Sequence, residues 1–197
     1  MKLNKGGIEA FSDGVIAIII TIMVFDLKIQ DLPPNYLDKD IWESLLSAVP
    51  KFLSYVLSFV VVAILWLNHH ALFDKIPHSD SQLGWYNIFL LFSMSLIPLP
   101  TAFLAKYPNS YQAVMLYGLV MFLNSFSFLL MRRYVEITAK LITYNAKIHR
   151  NNLISVSLYF VSIPLSYLSV YLSFVIFVGI PLWYFLPEIH YSNIQKK

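Results

Sequence analysis

Cysteine is absent from the 197 residues, which excludes disulfides, thiol nucleophiles and cysteine-ligated metals. Charge is scarce. Lys, Arg, Asp and Glu together make up 13% of the chain, about half the fraction of a soluble domain. The net charge of +3 is small and its basic residues fall in connections, so it bears on membrane orientation and gives no nucleic-acid surface. Glycine is limited to 6 positions, and no Walker loop, Gly-rich dinucleotide turn or nucleophile elbow occurs. What remains is apolar: 58% hydrophobic residues and a mean hydropathy of +0.64. This is the composition of an integral membrane protein. Its spans use up nearly the whole chain, leaving no separate soluble domain.

Uncharged windows place the spans. Phe52 to Phe73 gives 22 residues, Ser81 to Ala105 gives 25 and Tyr107 to Met131 gives 25, each enough to cross a bilayer as one helix. From Asn151 to Pro187 run 37 uncharged residues, interrupted by Pro164 and Gly179-Ile180-Pro181. That is too long for one span and enough for two short ones, with a tight hairpin expected near 166–173. The N-terminal run resembles a signal peptide behind Lys2 and Lys5, but Asp13 and Asp26 bracket it and no small-residue cleavage site follows; it reads as retained. The expectation is an all-α membrane protein of six transmembrane helices, near 8–28, 42–73, 81–105, 109–134, 151–167 and 171–188.

Loop charges favour that count over five. With six spans and both termini cytosolic, the inner side carries ten basic residues: Lys2, Lys5, Lys75, Arg132, Arg133, Lys140, Lys147, Arg150, Lys196 and Lys197. The outer side carries four: Lys28, Lys39, Lys51 and Lys106. Five spans would move the last two lysines outside and reduce the bias to eight against six, contrary to the positive-inside rule. Trp42, Trp85 and Trp183 fall near expected helix ends, as interfacial anchors do. The basic stretch 134–150 reads as a cytosolic extension of helix four or a surface helix, and the Pro33-Pro34 stretch as an outer turn.

Helix one carries the most informative pattern. Only 12 uncharged residues, Gly14 to Phe25, separate Asp13 from Asp26. At 1.5 Å per residue the two carboxylates lie about 20 Å apart, inside a hydrocarbon core of about 30 Å. A carboxylate at that depth must face protein or water, so helix one is an inner helix, packed or pore-lining. Phe11, Ile18, Ile22 and Phe25 form one stripe at helical spacing, with Thr21 on its edge. Gly14, Ala17 and Thr21 form a neighbouring strip of small residues suited to close helix packing. One reading is a buried packing helix. The other makes the bulky stripe a hydrophobic constriction and Thr21 a ring of hydroxyls for a passing cation; it requires copies of the helix around an axis, hence an oligomer.

Threading the spans brings Asp13, the run Trp66-Leu67-Asn68-His69-His70 and Asn87 to similar depth. Trp66, His69, His70 and Phe73 share one face at i, i+3, i+4 and i+7. Their indole, imidazole and amide groups are donors able to satisfy Ser12-Asp13; the alternative is that both histidines are ordinary interfacial residues. Adjacent histidines point about 100° apart on a helix and chelate poorly, and the i, i+4 His pair of zinc sites is missing. Span serines such as Ser54, Ser58, Ser93, Ser95, Ser125 and Ser127 read as packing residues. Neither a metal site nor an enzyme is expected.

The stretch Glu9-Ala10-Phe11-Ser12-Asp13-Gly14-Val15-Ile16-Ala17-Ile18, with Thr21, resembles the signature of the transmembrane protein 175 family of potassium channels, in its prokaryotic branch. The resemblance extends to Trp66 and His69-His70 ending helix two and to the Pro98-containing third helix. It is strongest over the first hundred residues and architectural beyond them. It implies a homotetramer of six-span chains in the cell membrane whose first helices line the pore. It also implies permeant potassium, no cofactor, and no Thr-Val-Gly-Tyr-Gly filter; none occurs here. The family's narrow point falls on Ile18, its further apolar pore positions on Ile22 and Phe25, and its threonine layer on Thr21. The family motif, here Phe11-Ser12-Asp13, is tied by hydrogen bonds to the second and third helices, which implies roles for Trp66, His69, His70 and Asn87. Two departures stand out: the family's usual arginine four residues before the motif phenylalanine is Gly7, with Lys5 nearby, and position 25 is Phe in place of a smaller aliphatic.

The leading expectation is thus a potassium-permeable homotetrameric channel whose outer mouth presents Asp26 to cations. The alternative is a cation or proton-coupled transporter using Asp13 and His69 within each protomer. A third class is a non-conducting membrane scaffold.

Overall fold

Nearly all the chain outside its short connections is helical, because backbone groups in hydrocarbon must find their partners within the same segment. The computed structural model describes residues 2–25, 27 and 35–192, with side chains for 4–25, 27 and 35–184. Strand β1 (Lys2–Leu3) leads into α1 (Lys5–Phe25), followed by α2 (Asp38–Phe73) and strand β2 (Ser79–Asp80). Then come α3 (Ser81–Ser95), α4 (Pro98–Lys106), α5 (Tyr111–Arg133) with a π-helical turn (Tyr134–Thr138), α6 (Ala146–Leu168) and α7 (Val170–Ser192). Among the described residues, four segments are long and apolar enough to cross a membrane: Lys5–Phe25, Asp38–Phe73, Ser81–Lys106 and Tyr111–Thr138. Asp26 and residues 30–34 of the expected outer turn at 30–40 lie outside the described residues, and 38–40 already belong to α2.

The third expected helix, 81–105, is two segments. Pro98 has no N–H to donate, and the chain tightens just before it while Ile97 keeps helical angles (φ −57°, ψ −41°). Leu96 N–H donates to Ser93 O and Ile97 N–H to Met94 O before Thr101 N–H resumes the regular spacing to Ile97 O. The run from 151 to 187 breaks at Ser169, whose backbone is extended (φ −159°, ψ 118°), and α6 and α7 pack against each other across that break. Ser173 Oγ donates to Ser162 O at 3.0 Å, holding the two helices together just above the turn. At 134–138 α5 widens into its π-helical turn, where Arg132 and Glu136 form a buried ion pair at 2.8 Å.

α5 is the hub, packing on α3, α4, α6 and α7, while α1 lies at the margin on α2 and α3. Tyr117, Phe177, Leu90, Met94 and Met121 fill the centre. Gly118 lets α6 approach: a Cβ there would lie 2.7 Å from Ser162 Oγ. Met23, Ile19 and Ile16 join α1 to this core.

A small ribbon clips the start of α1 to the start of α3. Lys2 pairs with Asp80 and Leu3 with Ser79, antiparallel. Asp80 caps α3 by accepting from Leu83 N–H at 2.8 Å, and its other oxygen accepts from the Tyr134 hydroxyl at 2.6 Å. Burial acts to raise the Asp80 carboxyl; the Leu83, Tyr134 and Gln82 hydrogen bonds and nearby His78 outweigh it and hold the group below the usual aspartate range. A carboxyl lowered on folding contributes stability above its unfolded pKa that is lost as pH falls through the folded one. Asp80→Asn is therefore expected to lower the melting temperature by a few degrees near neutral pH, with the gap to wild type closing below about pH 4. Melts of both proteins across that range check this; a gap independent of pH contradicts it.

Candidate functional site: the foot and open face of helix one

Helix one is divided sharply by side. Ser12, Ile16, Ile19 and Met23 are buried on one face. Opposite them, Phe11 and Ile18 are each 60% exposed, Ile22 47% and Phe25 70%, against 3% for Ile16 and 1% for Met23. At 100° per residue the exposed positions, from Asp13 round to Ile22, cover about half the helix circumference. The bulky stripe (Phe11, Ile18, Ile22, Phe25) occupies one flank of this open face, and Gly14, Ala17 and Thr21 run beside it. A Cβ at Gly14 would meet nothing within 4 Å, so its smallness serves no packing within the protomer. Thr21 Oγ1 donates to Ala17 O at 2.8 Å. That bond commits the hydroxyl proton to the backbone and leaves the oxygen lone pairs free.

The foot of the helix is held by directional hydrogen bonds from α2 and α3. Asn87 Nδ2 donates to Ser12 Oγ at 2.9 Å, and Ser12 Oγ donates onward to Ile8 O at 2.8 Å. With its Nδ2 so engaged, Asn87 turns its Oδ1 to His69 Nε2 at 2.8 Å. The network therefore requires the proton on Nε2 of His69. All three side chains are buried, at 0% exposure for Ser12, 1% for Asn87 and 2% for His69, and the His69 ring stacks on Phe73 with centroids 4.3 Å apart. Beside this chain, Trp66 Nε1 donates to Asp13 Oδ1 at 2.8 Å in an exposed pair. Asp13 thus has an indole partner, and His69 reaches the motif through Asn87.

His70 points away from this chain, stacking on Trp66 (5.7 Å) and standing 3.8 Å from Asp74. Lys5 Nζ approaches Glu9 Oε1 at 4.0 Å, so its charge goes along its own helix. Several polar clusters escaped the reading of the sequence. Ser58 joins Thr101 at 2.7 Å and Tyr117 at 3.2 Å, tying α2 to α4 and α5. Asn124 Nδ2 donates to Ser93 O and Val120 O, and Tyr184 donates to Asn152 Oδ1. Lone asparagines in otherwise apolar spans were the available signal.

The chain has counterparts among known proteins. A family profile described as endosomal/lysosomal potassium channel TMEM175 matches residues 7–98, the segment holding Phe11, Ser12, Asp13, Trp66, His69 and Asn87. A potassium channel of Chamaesiphon minutus is 32% identical over 181 residues, covering 86% of this chain and 88% of that protein. The chain belongs to the TMEM175 family. A potassium channel of Chryseobacterium is 36% identical over 133 residues, or 68% of this chain, which spans 66% of that protein's length. The crystal structure of a TMEM175 homologue from Chamaesiphon minutus, described as a lysosomal potassium-selective channel homologue, aligns over 93% of this chain and 97% of that one. Its TM-score is 0.78 at 29% identity. TMEM175 proteins of this kind are multi-pass membrane channels and not enzymes.

Asn87 links two buried partners, whereas Trp66 serves an exposed carboxylate, and the two should differ in cost. Asn87→Leu strands Ser12 and His69 in an apolar setting and is expected to destabilise the fold by about 2–4 kcal/mol. Trp66→Phe removes one exposed hydrogen bond and is expected to cost about 1 kcal/mol. Denaturation of the purified variants in detergent gives both values; equal costs would contradict the ranking.

Proposed function

We propose that the chain forms a potassium-permeable cation channel in which four copies set α1 around a central axis in the cell membrane. The observation that carries this reading is the division of α1. A helix whose foot is fastened by buried hydrogen bonds leaves the face bearing Phe11, Ile18, Thr21, Ile22 and Phe25 uncovered. Gly14, with open space beside it, suits the close approach of a neighbouring copy. In such a tetramer Ile18, Ile22 and Phe25 line a constriction that closes by dewetting, and Thr21 offers lone pairs to a partly dehydrated cation. No carbonyl filter is required. Asp26 and the carbonyl ends of four α1 helices would draw cations to the outer mouth.

Each chain would cross the membrane six times, with α6 and α7 as the last two spans and both termini in the cytosol. The ten-to-four bias of basic residues supports this orientation. The Phe11-Ser12-Asp13 motif, with Trp66, His69, His70 and Asn87 around it, would fix the tilt and rotation of α1 and so the radius at Ile18. The transporter alternative has less behind it, because His69 Nε2 is engaged by Asn87 and Asp13 by Trp66.

Two measurements test the channel. Native mass spectrometry of the solubilised particle should give four times the 22.8 kDa of one chain; a monomer has no axis for a pore. In planar bilayers, Ile18→Asn should wet the constriction, raise unitary conductance severalfold and weaken discrimination between potassium and sodium. Saturable cation exchange without unitary currents would give the function to the transporter.

A further inference from the structure

A cavity lies on the side of α2 away from α1, bordered by α2, α5, α6 and α7. Its water-accessible volume is about 40 Å³, and one water needs about 10–15 Å³ on that measure, so it has room for about three. Most of the wall is apolar, including Leu65, Met121, Phe128 and Tyr159, but Asn124, Asn152, Ser155 and Tyr184 also line it.

Two of these polar groups are left unpaired. Asn124, 1% exposed, spends its Nδ2 on Ser93 O and Val120 O, which fixes the amide's orientation. Its Oδ1 then has no partner among the described residues. Asn152, 4% exposed, accepts from Tyr184 at Oδ1, and its Nδ2 has no partner among the described residues. Both asparagines line the same cavity. In a membrane-embedded bundle each such group costs several kcal/mol if left bare. The occupant must donate to Asn124 Oδ1, accept from Asn152 Nδ2, carry no net charge and fit an apolar wall.

We propose that this cavity is a binding site for a neutral hydroxyl, supplied by ordered water or by the head of a small alcohol. The placement gives the site leverage. α2 turns Leu65 and Asn68 toward the cavity, Trp66 toward Asp13 on α1 and His69 toward Asn87 on α3. A molecule behind α2 therefore bears on the helix whose other face fastens Asp13 and, through Asn87, Ser12.

Radiolytic hydroxyl-radical footprinting of the intact purified protein tests the site, since radicals born on trapped water label adjacent side chains. Tyr159 lines the cavity and Tyr117 does not, although both are buried, at 4% and 0% exposure. Tyr159 is expected to be modified severalfold faster than Tyr117 in the wild type, and Asn152→Leu is expected to bring its rate down toward that of Tyr117. Adding 1-butanol then separates the sources. An unchanged Tyr159 rate assigns the hydroxyl to water, and a rate that falls to that of Tyr117 assigns it to an alcohol displacing water. A wild-type Tyr159 rate no faster than that of Tyr117 overturns the proposal, as does a fast rate indifferent to Asn152→Leu.

Discussion

The organisation of this protein rests on one constraint: a polar group carried into hydrocarbon needs its partner inside the protein. Ser12 meets it through Asn87, and Asn87 meets it through His69, so three helices are joined at one depth by side chains that have few alternatives. The same constraint explains Ser58 with Thr101 and Tyr117, and Arg132 with Glu136. Apolar packing alone discriminates weakly between helix faces in a membrane, because lipid chains are as apolar as leucine. Directional bonds at Asn87 and Trp66 supply the missing rotational setting of α1.

That setting has a geometric result. With Ser12 turned inward, the helical period carries Ile16, Ile19 and Met23 inward too, and the opposite side must face outward along its whole length. The protomer therefore presents a half-cylinder of apolar and small residues with Thr21 near its middle. A lipid-facing surface has no use for a glycine with open space beside it.

Much of this was readable in the residues, and the reasons are physical. Charges cannot sit freely in a bilayer, so uncharged windows between Lys51 and Asp74, Asp80 and Lys106, and Lys106 and Arg132 mark the last 22 residues of the 36-residue α2, then α3 and α4, and most of α5. Antiparallel threading then placed Asp13, Trp66, His69 and Asn87 at one depth. Depth does not choose partners, however. That Asp13 takes Trp66 while His69 takes Asn87 depends on side-chain direction, which spacing alone leaves open. The break before Pro98 was masked by the continuous hydropathy of 81–105, and the π-helical turn after Arg133 leaves no local mark. Arg132 illustrates the limit: counted among loop cations, it is 6% exposed and paired to Glu136 one turn on. Spacing alone does not single out Asn124 and Asn152, because the cavity they line exists only after four helices meet.

The clip between Lys2–Leu3 and Ser79–Asp80 sets the order in which the molecule can be completed. Every partner that fastens α1 comes later in the chain: Trp66, then Ser79 and Asp80, then Asn87. While the ribosome is still making α2, the first helix can be inserted but has nothing to fix its rotation. It becomes fixed only once α3 has emerged. Within this chain α1 therefore takes its final orientation only after helices that follow it in the sequence.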